Sequence, residues 1–366
     1  MPKVLISGYY GFNNIGDEAI LKGVIDGIKS LSQDTEIVVL SQYPDFTEKK
    51  HNVRSIKRMN VFSIIKELKD CDLLVSGGGS LLQDVTSKRS IMYYLGVIYL
   101  AKLFNKKVMV YSQGIGPVNK SFNRNLLKRV LNKVDFINVR DEKSKKELID
   151  MGVNKDILVT IDTVFGIKEP KVDIGKQILK ELDIDIDRKI VGISIRPWQN
   201  NKEIIDEIRK VCEILVKEYD YQVLFIPCHF YSDLKIMKEV LKNIDENLKH
   251  NVYVLEKYLY VDEYLSLIGN LEFLIGMRLH ALIFSVLMKV PVIGLSYDPK
   301  IDNFLNILGK NKILPILNIN FNDIINEVKY LVKNIDKEIQ IVNEKRKEFS
   351  SIANIHNKVL IDILKN

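Results

Sequence analysis

Short apolar runs alternate with longer amphipathic stretches from one end of the chain to the other. The run KVLISG predicts a strand, DEAILKGVIDGIKSL has the apolar spacing of a helix, and EIVVLSQ predicts a strand again. The alternation continues through DLLVSGGG, SIMYYLGVIYLAKLF, KVMVYSQG and a strand predicted over ILVTIDTVF, and later through KIVGISIRPW, QVLFIPCHF, EFLIG and PVIGLSY. Alternation of this kind predicts parallel sheets covered by helices on both faces.

The alternation pauses once, in the charged segment GIKEPKVDIGKQ at residues 166–177, and then resumes. We therefore predict a Rossmann-like domain over 1–168 and a second one over 169–320. The helical, charged tail over 321–366 is expected to pack back across their junction. Two such domains facing each other across a cleft form the glycosyltransferase-B shape. Ligands of open α/β sheets bind beyond the carboxyl ends of the strands, so the loops that follow strands should carry the chemistry.

Composition restricts the class of protein. A chain that is 46% hydrophobic and 28% charged is globular, and its start lacks the features of a secretory signal, so a cytoplasmic location is expected. The net charge of +7 suits anionic substrates or an anionic membrane face, whereas no nucleic-acid recognition motif occurs. Three separated cysteines in apolar settings predict buried reduced thiols. Without CxxC or HExxH, no metal site is expected.

The first glycine-bearing loop, GYYGFNNIGDEAIL, follows the first predicted strand. Its asparagines, Asn13 and Asn14, precede a helix that the pattern places from Asp17 onward. Backbone N–H groups at such a helix start attract anions or polar ligands. The alternative is a tight turn in which Asp17 caps the helix. The aromatic residues of this loop, Tyr9, Tyr10 and Phe12, are interpreted as exposed.

Two further glycine loops, SGGGSLLQD and YSQGIGPV, follow later strands of the same half of the chain. The bare backbone at Gly78 and Gly79 can wrap a phosphate or a sugar, or can let two chain segments cross. Arg140, in NVRDEKS, also ends a strand. A surface salt bridge is the alternative interpretation of Arg140.

The segment GMRLHALIFS carries the strongest candidate chemistry. Arg278 and His280 are predicted in the first turn of a very apolar helix, and Lys300 follows the next strand. Free N–H groups and the helix dipole favour an anion there, and arginine can fork onto a carboxylate or phosphate. Histidine can exchange protons near neutral pH. The alternative is a core histidine beside a solvated arginine. Arg196 and His229 are weaker candidates, and His51 is assigned no role.

These loops together resemble the polysaccharide pyruvyl transferase family, in particular its cell-surface anchoring, CsaB-like branch. The resemblance rests on GYYGFNNIGDEAIL, SGGGSLLQD, YSQGIGP, VRDEKS, GMRLHALIFS and GLSYDPK, which span residues 8–300. It implies a glycosyltransferase-B-like fold and transfer of pyruvate from phosphoenolpyruvate onto a sugar as a ketal. The implied acceptor is an N-acetylmannosamine of a lipid-linked secondary cell-wall polysaccharide precursor, whose ketals are read by S-layer proteins.

The resemblance also implies roles for individual residues. Arg140, Arg278 and Lys300 would bind phosphoenolpyruvate, and His280 would protonate its methylene carbon. The base is Asp17 or His280 itself. The acceptor would lie in the first domain, where its contacts are expected at Asn13, Asn14, Gly78 and Gly79. No cofactor is expected beyond phosphoenolpyruvate as co-substrate.

Two other functions remain open from the sequence. A nucleotide-sugar glycosyltransferase or epimerase would share the architecture, although the glutamate pair common in retaining enzymes is missing near residues 276–300. A non-catalytic glycan-binding protein would be expected to lack the ionisable groups at the strand ends. A lipid-linked acceptor would also require peripheral contact with an anionic membrane, to which lysine-rich helices and the aromatic residues of the first loop would contribute.

Overall fold

The computed structural model describes four stretches of the chain, which are residues 1–85, 90–199, 201–310 and 312–365. The chain folds as two compact units, each with its own sheet. Unit 1 consists of Met1–Ile167 and Phe349–Asn366, and unit 2 consists of Lys168–Glu348. All strand pairs recorded in both sheets are parallel, so the prediction of two parallel-sheet α/β domains is confirmed.

Unit 1 contains the strands and helices that the hydrophobic pattern predicts and adds four elements that the pattern does not predict, over Pro44–His51, Arg54–Lys57, Val61–Asp70 and Gly79–Leu82. Its elements are β1 (Lys3–Tyr10), α1 (Ile15–Leu31), β2 (Glu36–Ser41), α2 (Pro44–His51), β3 (Arg54–Lys57), α3 (Val61–Asp70), β4 (Leu73–Ser76), β5 (Gly79–Leu82), α4 (Ser90–Leu103), β6 (Lys107–Ile115), α5 (Ser121–Leu131), β7 (Phe136–Val139), α6 (Glu142–Asp150) and β8 (Ile157–Val159).

The sheet of unit 1 has the order β3-β2-β1-β4-β6-β7-β8, with β5 beside β6. The strands β1, β2, β4 and β6 are buried along almost their whole length, which explains why their sequences are apolar runs without alternation. Chain order reverses at β1, so the loops after β1 and β4 lie at the switch point where such sheets bind ligands.

Unit 2 has a smaller sheet of the order β11-β10-β9-β12-β13-β14. Its elements are α7 (Asp173–Glu181), β9 (Ile190–Ser194), α8 (Asn201–Tyr219), β10 (Gln222–Phe225), α9 (Phe230–Asn243), β11 (Val252–Val254), α10 (Val261–Ile268), β12 (Phe273–Gly276), α11 (Leu279–Leu287), β13 (Val292–Ser296), α12 (Pro299–Ile307), β14 (Leu314–Pro315), α13 (Phe321–Lys333) and α14 (Ile335–Lys365). The strand β9 lies between β10 and β12, which makes the ends of these strands the corresponding switch point.

Two boundaries differ from the pattern. The strand predicted over ILVTIDTVF ends at Val159, because the Asp162 carboxylate accepts a hydrogen bond from Val164 N–H and starts a 3-10 turn over Thr163–Gly166. The charged pause is also shorter than predicted, since α7 begins within it at Asp173.

The three cysteines are free thiols and all are buried, as predicted. Burial raises the pKa of both Cys71 and Cys228 to about 11. Both thiols are therefore protonated and unreactive at neutral pH.

The last helix, α14, leaves unit 2 and completes unit 1 with polar as well as apolar side chains. His356 is fully buried there, with its Nδ1 3.1 Å from Thr160 Oγ1 and its ring 4.7 Å from the ring of Tyr111. The neighbouring Asn357 accepts a hydrogen bond from the Tyr111 hydroxyl. Asn357 also packs on α1, where a methyl group added at Gly27 would lie only 2.2 Å from its Oδ1. The glycine thus lets the two helices approach.

Acid should weaken the packing of α14 on unit 1. Burial lowers the pKa of His356 to about 4, against a smaller opposing effect of the Asp162 charge, whereas an unfolded histidine titrates near 6.5. The unfolded chain therefore takes up the proton at a higher pH. The free energy of unfolding should fall by about 3 kcal/mol between pH 6.5 and pH 4 from this group alone.

Denaturant unfolding of the wild type and His356→Gln across this pH range measures that effect. The wild type should lose more stability than the variant, because the variant has no imidazole to protonate. His250→Gln, which changes an exposed histidine, should retain the wild-type pH dependence. Parallel pH profiles for the wild type and His356→Gln would contradict the assignment.

Candidate active site

The loop after β1 is fixed by a capped helix start. Asn14, not Asp17, caps α1: its Oδ1 accepts a hydrogen bond from Gly16 N–H at 3.2 Å, and the helix begins at Ile15. The predicted start at Asp17 and the interpretation of Asp17 as the cap are therefore wrong. Asn14 has the extended backbone that lets its amide fold back onto the helix. Asp17 lies in the first turn, where its Oδ2 accepts a hydrogen bond from Asn14 Nδ2.

A buried carboxylate also fixes the backbone of this loop. Glu18 accepts hydrogen bonds from Gly11 N–H at 2.8 Å and lies 3.0 Å from His51 Nε2. Burial raises the pKa of Glu18, but His51, Lys50 and the Gly11 N–H outweigh that effect, so the pKa is below its usual value. Neither residue of this pair has a role predicted from the sequence. The pair fixes the backbone at Gly11, which has a φ of +78°.

The three aromatic residues of this loop are not all exposed. Tyr10 is buried, contrary to prediction, because the missing side chain at Gly8 makes room for its ring: an added methyl group would lie 2.3 Å from Tyr10 Cζ. Tyr9 and Phe12 are half-buried, and their rings stack at 3.9 Å. The loop therefore offers one aromatic pair, Tyr9 and Phe12, instead of three free rings.

The glycines after β4 have packing reasons of their own. A methyl group added at Gly78 would lie 3.0 Å from Ile20 Cγ2 and 3.3 Å from the Ser112 carbonyl oxygen. Gly79 has a φ of +85°, and its methyl group would lie 3.3 Å from Asp17 Oδ1. Gly79 and Asp17 are thus brought together at the switch point of unit 1, whereas Gly78 faces its interior.

Arg140, at the end of β7, has a buried side chain with partners inside unit 1. Its Nη1 donates to Asp162 Oδ2 at 3.2 Å, and its Nη2 donates to Ser80 Oγ at 3.1 Å. A methyl group at Gly114 would lie 2.7 Å from Nη2, so this glycine of YSQGIGP admits the guanidinium. The charge of Arg140 is balanced mainly by Asp162. The alternative of a surface salt bridge is wrong in its placement: Arg140 does form an ion pair, with Asp162, but the pair is buried.

In unit 2 the site centres on an ion pair between two strand ends. Arg278 donates from Nε to Asp233 Oδ2 at 2.9 Å and from Nη2 to Asp233 Oδ1. Asp233 is fully buried and also accepts from His229 N–H at 2.9 Å and from Cys228 N–H at 3.2 Å. Burial lowers the pKa of Arg278, but the hydrogen bonds to Asp233 and the charge of Asp233 raise it by more. The guanidinium therefore stays charged.

The ion pair with Asp233 fixes the orientation of the Arg278 guanidinium, with one edge on Asp233. Asp233 occupies Nε and Nη2 of Arg278. Among the described residues Nη1 has no hydrogen-bond partner, so this nitrogen can bind a ligand. Arg278 occupies the cap position of α11 and not its first turn, which corrects the prediction, and its own side chain does not cap the helix. His280 is the second residue of α11, as predicted, and its ring centroid is 5.9 Å from that of Phe284.

His229 approaches the same arginine from the end of β10. Its imidazole is half-buried, and its Nδ1 has no hydrogen-bond partner among the residues described. Burial and the Arg278 charge lower the pKa of His229. Its ring is therefore neutral at neutral pH and able to accept a proton.

Lys300 belongs to a neighbouring group at the ends of β9 and β13. Tyr297 lies at its centre: its hydroxyl accepts from Arg196 Nη1 at 2.8 Å, and its ring centroid is 4.6 Å from that of Trp198. Lys300 Nζ lies 5.8 Å from the centre of the Tyr297 ring and 3.4 Å from Asp298 Oδ2. Arg196 is thus half-buried against aromatic rings.

The predicted residues fall into two sets. Unit 1 holds the acceptor candidates and Arg140, and unit 2 holds Arg278, His280 and Lys300 on consecutive strand–helix units. Asp233 was missed by sequence reasoning, although it follows His229 by four residues in HFYSD, in the first turn of a predicted helix. Within the described residues, no group of three or more His, Cys, Asp or Glu side chains is placed to hold a metal ion. No described helix is long and apolar enough to cross a bilayer.

Solved structures with a similar fold include S. aureus MnaA with UDP (13% identity, TM-score 0.66, 100% of this chain and 96% of that chain). They also include Neisseria meningitidis UDP-GlcNAc 2-epimerase with UDP-GlcNAc (15%, 0.66, 100% of both chains) and Anabaena HepE with UDP-glucose (12%, 0.66, 100% of both chains). At these identities the likeness shows the fold alone, and it confirms the glycosyltransferase-B-like fold class.

Sequence comparison identifies the family. The amylovoran biosynthesis protein AmsJ of Erwinia amylovora is 22% identical over 364 residues, covering 84% of this chain and 86% of that protein. The family model for polysaccharide pyruvyl transferase matches residues 14–299, a span that includes Arg140, Arg278 and His280 and stops one residue before Lys300. Because this match covers well over half of the chain, the protein belongs to the polysaccharide pyruvyl transferase family.

Proposed function

We propose that this protein transfers pyruvate from phosphoenolpyruvate onto a sugar as a ketal and releases phosphate. The observation that carries the proposal is the Arg278 site, in which Asp233 orients a charged guanidinium at the cap of α11, two residues before His280. Membership in the family supports the reaction class. The donor, the acceptor and the roles of individual residues are parts of our proposal.

The charges of the donor fit these groups. Phosphoenolpyruvate has a carboxylate and a phosphate on a three-carbon core, so it needs two cationic contacts. Arg278 can take one of them through Nη1, and helix N–H groups at His280 favour the same anion. We assign further contacts to Lys300 and Arg140. Asp162 and Ser80 already hold the Arg140 guanidinium, as Asp233 holds that of Arg278.

The reaction then needs one proton donor and one base. His280 donates a proton to the methylene carbon, which becomes the methyl group, and a sugar hydroxyl attacks C2 as positive charge develops there. A second hydroxyl attacks C2 as the C–O bond to phosphate breaks, which closes the ketal. One hydroxyl proton restores His280 and the other leaves with the phosphate. The base is Asp17 or His280, and the neutral ring of His229 is a third candidate.

The acceptor is proposed from the same family branch. We place an N-acetylmannosamine of a lipid-linked secondary cell-wall polysaccharide precursor at Asn13, Asn14, Gly78 and Gly79. The CsaB-like role in anchoring S-layer proteins, and action on the cytoplasmic face of the membrane, follow as parts of this proposal. AmsJ supports polysaccharide biosynthesis only in general terms.

Mass spectrometry of acceptors tests the proposal directly. The purified protein is incubated with phosphoenolpyruvate and a panel of glycolipid precursors, and phosphate release is followed in parallel. A mass gain equal to pyruvate less water, with one phosphate released per product, is expected for at least one acceptor. Phosphate release without a mass gain, or neither across the panel, would count against pyruvyl transfer.

Ligand-induced stabilisation separates this function from its nearest alternative, a nucleotide-sugar enzyme of the same fold. Phosphoenolpyruvate should raise the melting temperature, because a ligand that binds only the folded state stabilises it. UDP-N-acetylglucosamine should not. Stabilisation by the nucleotide sugar alone would favour a glycosyltransferase or epimerase. Stabilisation by a glycan without any turnover would favour a glycan-binding protein.

A further inference from the structure

The turn between β3 and α3 exposes three large apolar side chains within four residues. Met59, Val61 and Phe62 are 65%, 56% and 88% exposed, and Phe62 is the most exposed large apolar side chain in the described part of the chain. We call Met59–Phe62 the apolar tip. A contiguous exposed group of this kind marks an interaction surface more often than a scattered single residue does.

The tip is held outward by an ordered turn. The Arg58 N–H donates to the Ser41 carbonyl oxygen at 2.9 Å, and Asn60 Oδ1 caps α3 by accepting from Ser63 N–H at 3.2 Å. The Arg58 guanidinium is buried among aromatic rings, 4.3 Å from the centre of the Tyr93 ring and 5.2 Å from that of Phe12. The backbone before the tip is therefore anchored, so the exposed side chains are presented by a fixed framework.

A cavity lies at the carboxyl end of the sheet of unit 1, where β3 leads into the tip. This cavity has a volume of about 500 Å³ and is lined by Asn13, Gln42, Tyr43, Pro44, Asp45, Phe46 and Lys57. Lys57 is two residues before the tip, and Tyr43 adds another exposed ring. Because Asn13 is also an acceptor candidate, the proposed acceptor loop and the end of β3, which leads into the tip, line the same cavity.

The surroundings of the tip carry positive charge. Residues 43–69 contain seven lysines and arginines against three acidic residues. Of these acids, Glu67 is buried in ion pairs with Lys3 and Arg54, and Glu48 accepts a hydrogen bond from Ser55 N–H. Lys57, Lys66 and Lys69 are exposed. Apolar side chains beside exposed lysines are the combination that binds the headgroup region of anionic membranes.

We propose that the apolar tip inserts into the interface of an anionic phospholipid bilayer, with the neighbouring lysines on the lipid phosphates. This replaces the expected contact through Tyr9, Tyr10 and Phe12, since Tyr10 is buried and Phe12 packs on Arg58. The inference rests on the proposed function only for its purpose, which is to bring a lipid-linked sugar to the cavity beside Asn13. Binding to lipid itself requires no substrate.

Vesicle sedimentation of the full chain tests this insertion. The probes are phosphatidylcholine vesicles with and without an equal share of phosphatidylglycerol. The wild type should bind the anionic vesicles, and more weakly at high salt. Val61→Ser/Phe62→Ser should lower the partition coefficient about tenfold, because two apolar side chains no longer enter the interface.

Phe122→Ser is the matched control. Phe122 is 67% exposed and is the second residue of α5, as Phe62 is of α3. It should bind vesicles like the wild type, and both variants should melt like the wild type. No binding of the wild type to anionic vesicles, or equal binding by the tip variant, would overturn the proposal.

Pyruvyl transfer to a water-soluble acceptor separates this inference from the proposed function. The tip variant should retain transfer to such an acceptor, because the tip contacts only lipid. If the wild type transferred pyruvate but did not bind vesicles, the proposed function would be retained and the proposed membrane role of the tip would be rejected. If the wild type bound vesicles but transferred no pyruvate, the membrane role of the tip would be retained and the proposed function would be rejected.

Discussion

Replacing Arg278 by lysine is expected to lower kcat/KM for pyruvyl transfer by at least about 100-fold. A lysine ammonium cannot make the two parallel bonds to Asp233 and also direct a third N–H toward phosphoenolpyruvate. The variant keeps the positive charge, so the loss reports geometry and not charge alone. Steady-state kinetics with varied phosphoenolpyruvate measure it, and the KM for phosphoenolpyruvate should rise while kcat falls.

Two comparisons make this result specific. Arg209→Lys alters a surface pair with Glu213 on α8 of the same unit, at 2.8 Å, and should leave the kinetics unchanged. His280→Ala should lower kcat more than it raises KM, since proton donation acts in the transition state. A pure rise in KM would reduce His280 to a binding group. Near-normal transfer by both Arg278→Lys and His280→Ala would remove this site from the reaction.

Replacing Asp233 by alanine is expected to destabilise the protein by about 3–5 kcal/mol, because it leaves Arg278 buried without its counter-charge. Two backbone N–H groups, those of Cys228 and His229, would lose their acceptor as well. Denaturant unfolding measures the change. The double change Asp233→Ala/Arg278→Met should be less destabilising than Asp233→Ala alone, since no uncompensated charge remains.

The control for Asp233 is an exposed acid in the same unit. Asp245 lies 3.8 Å from Lys217 in a solvated pair and accepts an exposed hydrogen bond from Asn247 N–H, so Asp245→Ala should change stability by no more than about 1 kcal/mol. If Asp233→Ala cost no more than Asp245→Ala, the ion pair would not be the element that holds the strand ends together. If the double change were worse than the single one, packing and not charge would explain the loss.

The sequence was sufficient to locate the edge of each sheet where candidate residues gather. Period and length distinguish strands from helices, and parallel strands bring their carboxyl ends to one edge, so the loops at Gly79, Arg140 and Arg278 could be selected without coordinates. Cap assignments were less certain. Asn14 and Asp17 are both good caps, and only the backbone conformation at Asn14 decides between them.

The partners of these residues could not be predicted, because they are distant in sequence. Asp233 precedes Arg278 by 45 positions, and nothing in either segment indicates the pairing. Glu18 and His51 are similar: each is an ordinary polar residue of a helix until the fold buries them against each other. Tyr10 was expected outside because loops are solvated. The absence of a side chain at Gly8 and at Gly77 created the space that buries it.

The passage of α14 from unit 2 into unit 1 determines the order in which the chain can fold during synthesis. Unit 2 is continuous, so all of Lys168–Glu348 has been made before the final segment exists. Unit 1 is split in sequence, and the packing around Gly27 and Tyr111 cannot form until His356 and Asn357 have been synthesised. Domains generally fold as units as they emerge from the ribosome. Here the unit made first is the unit completed last.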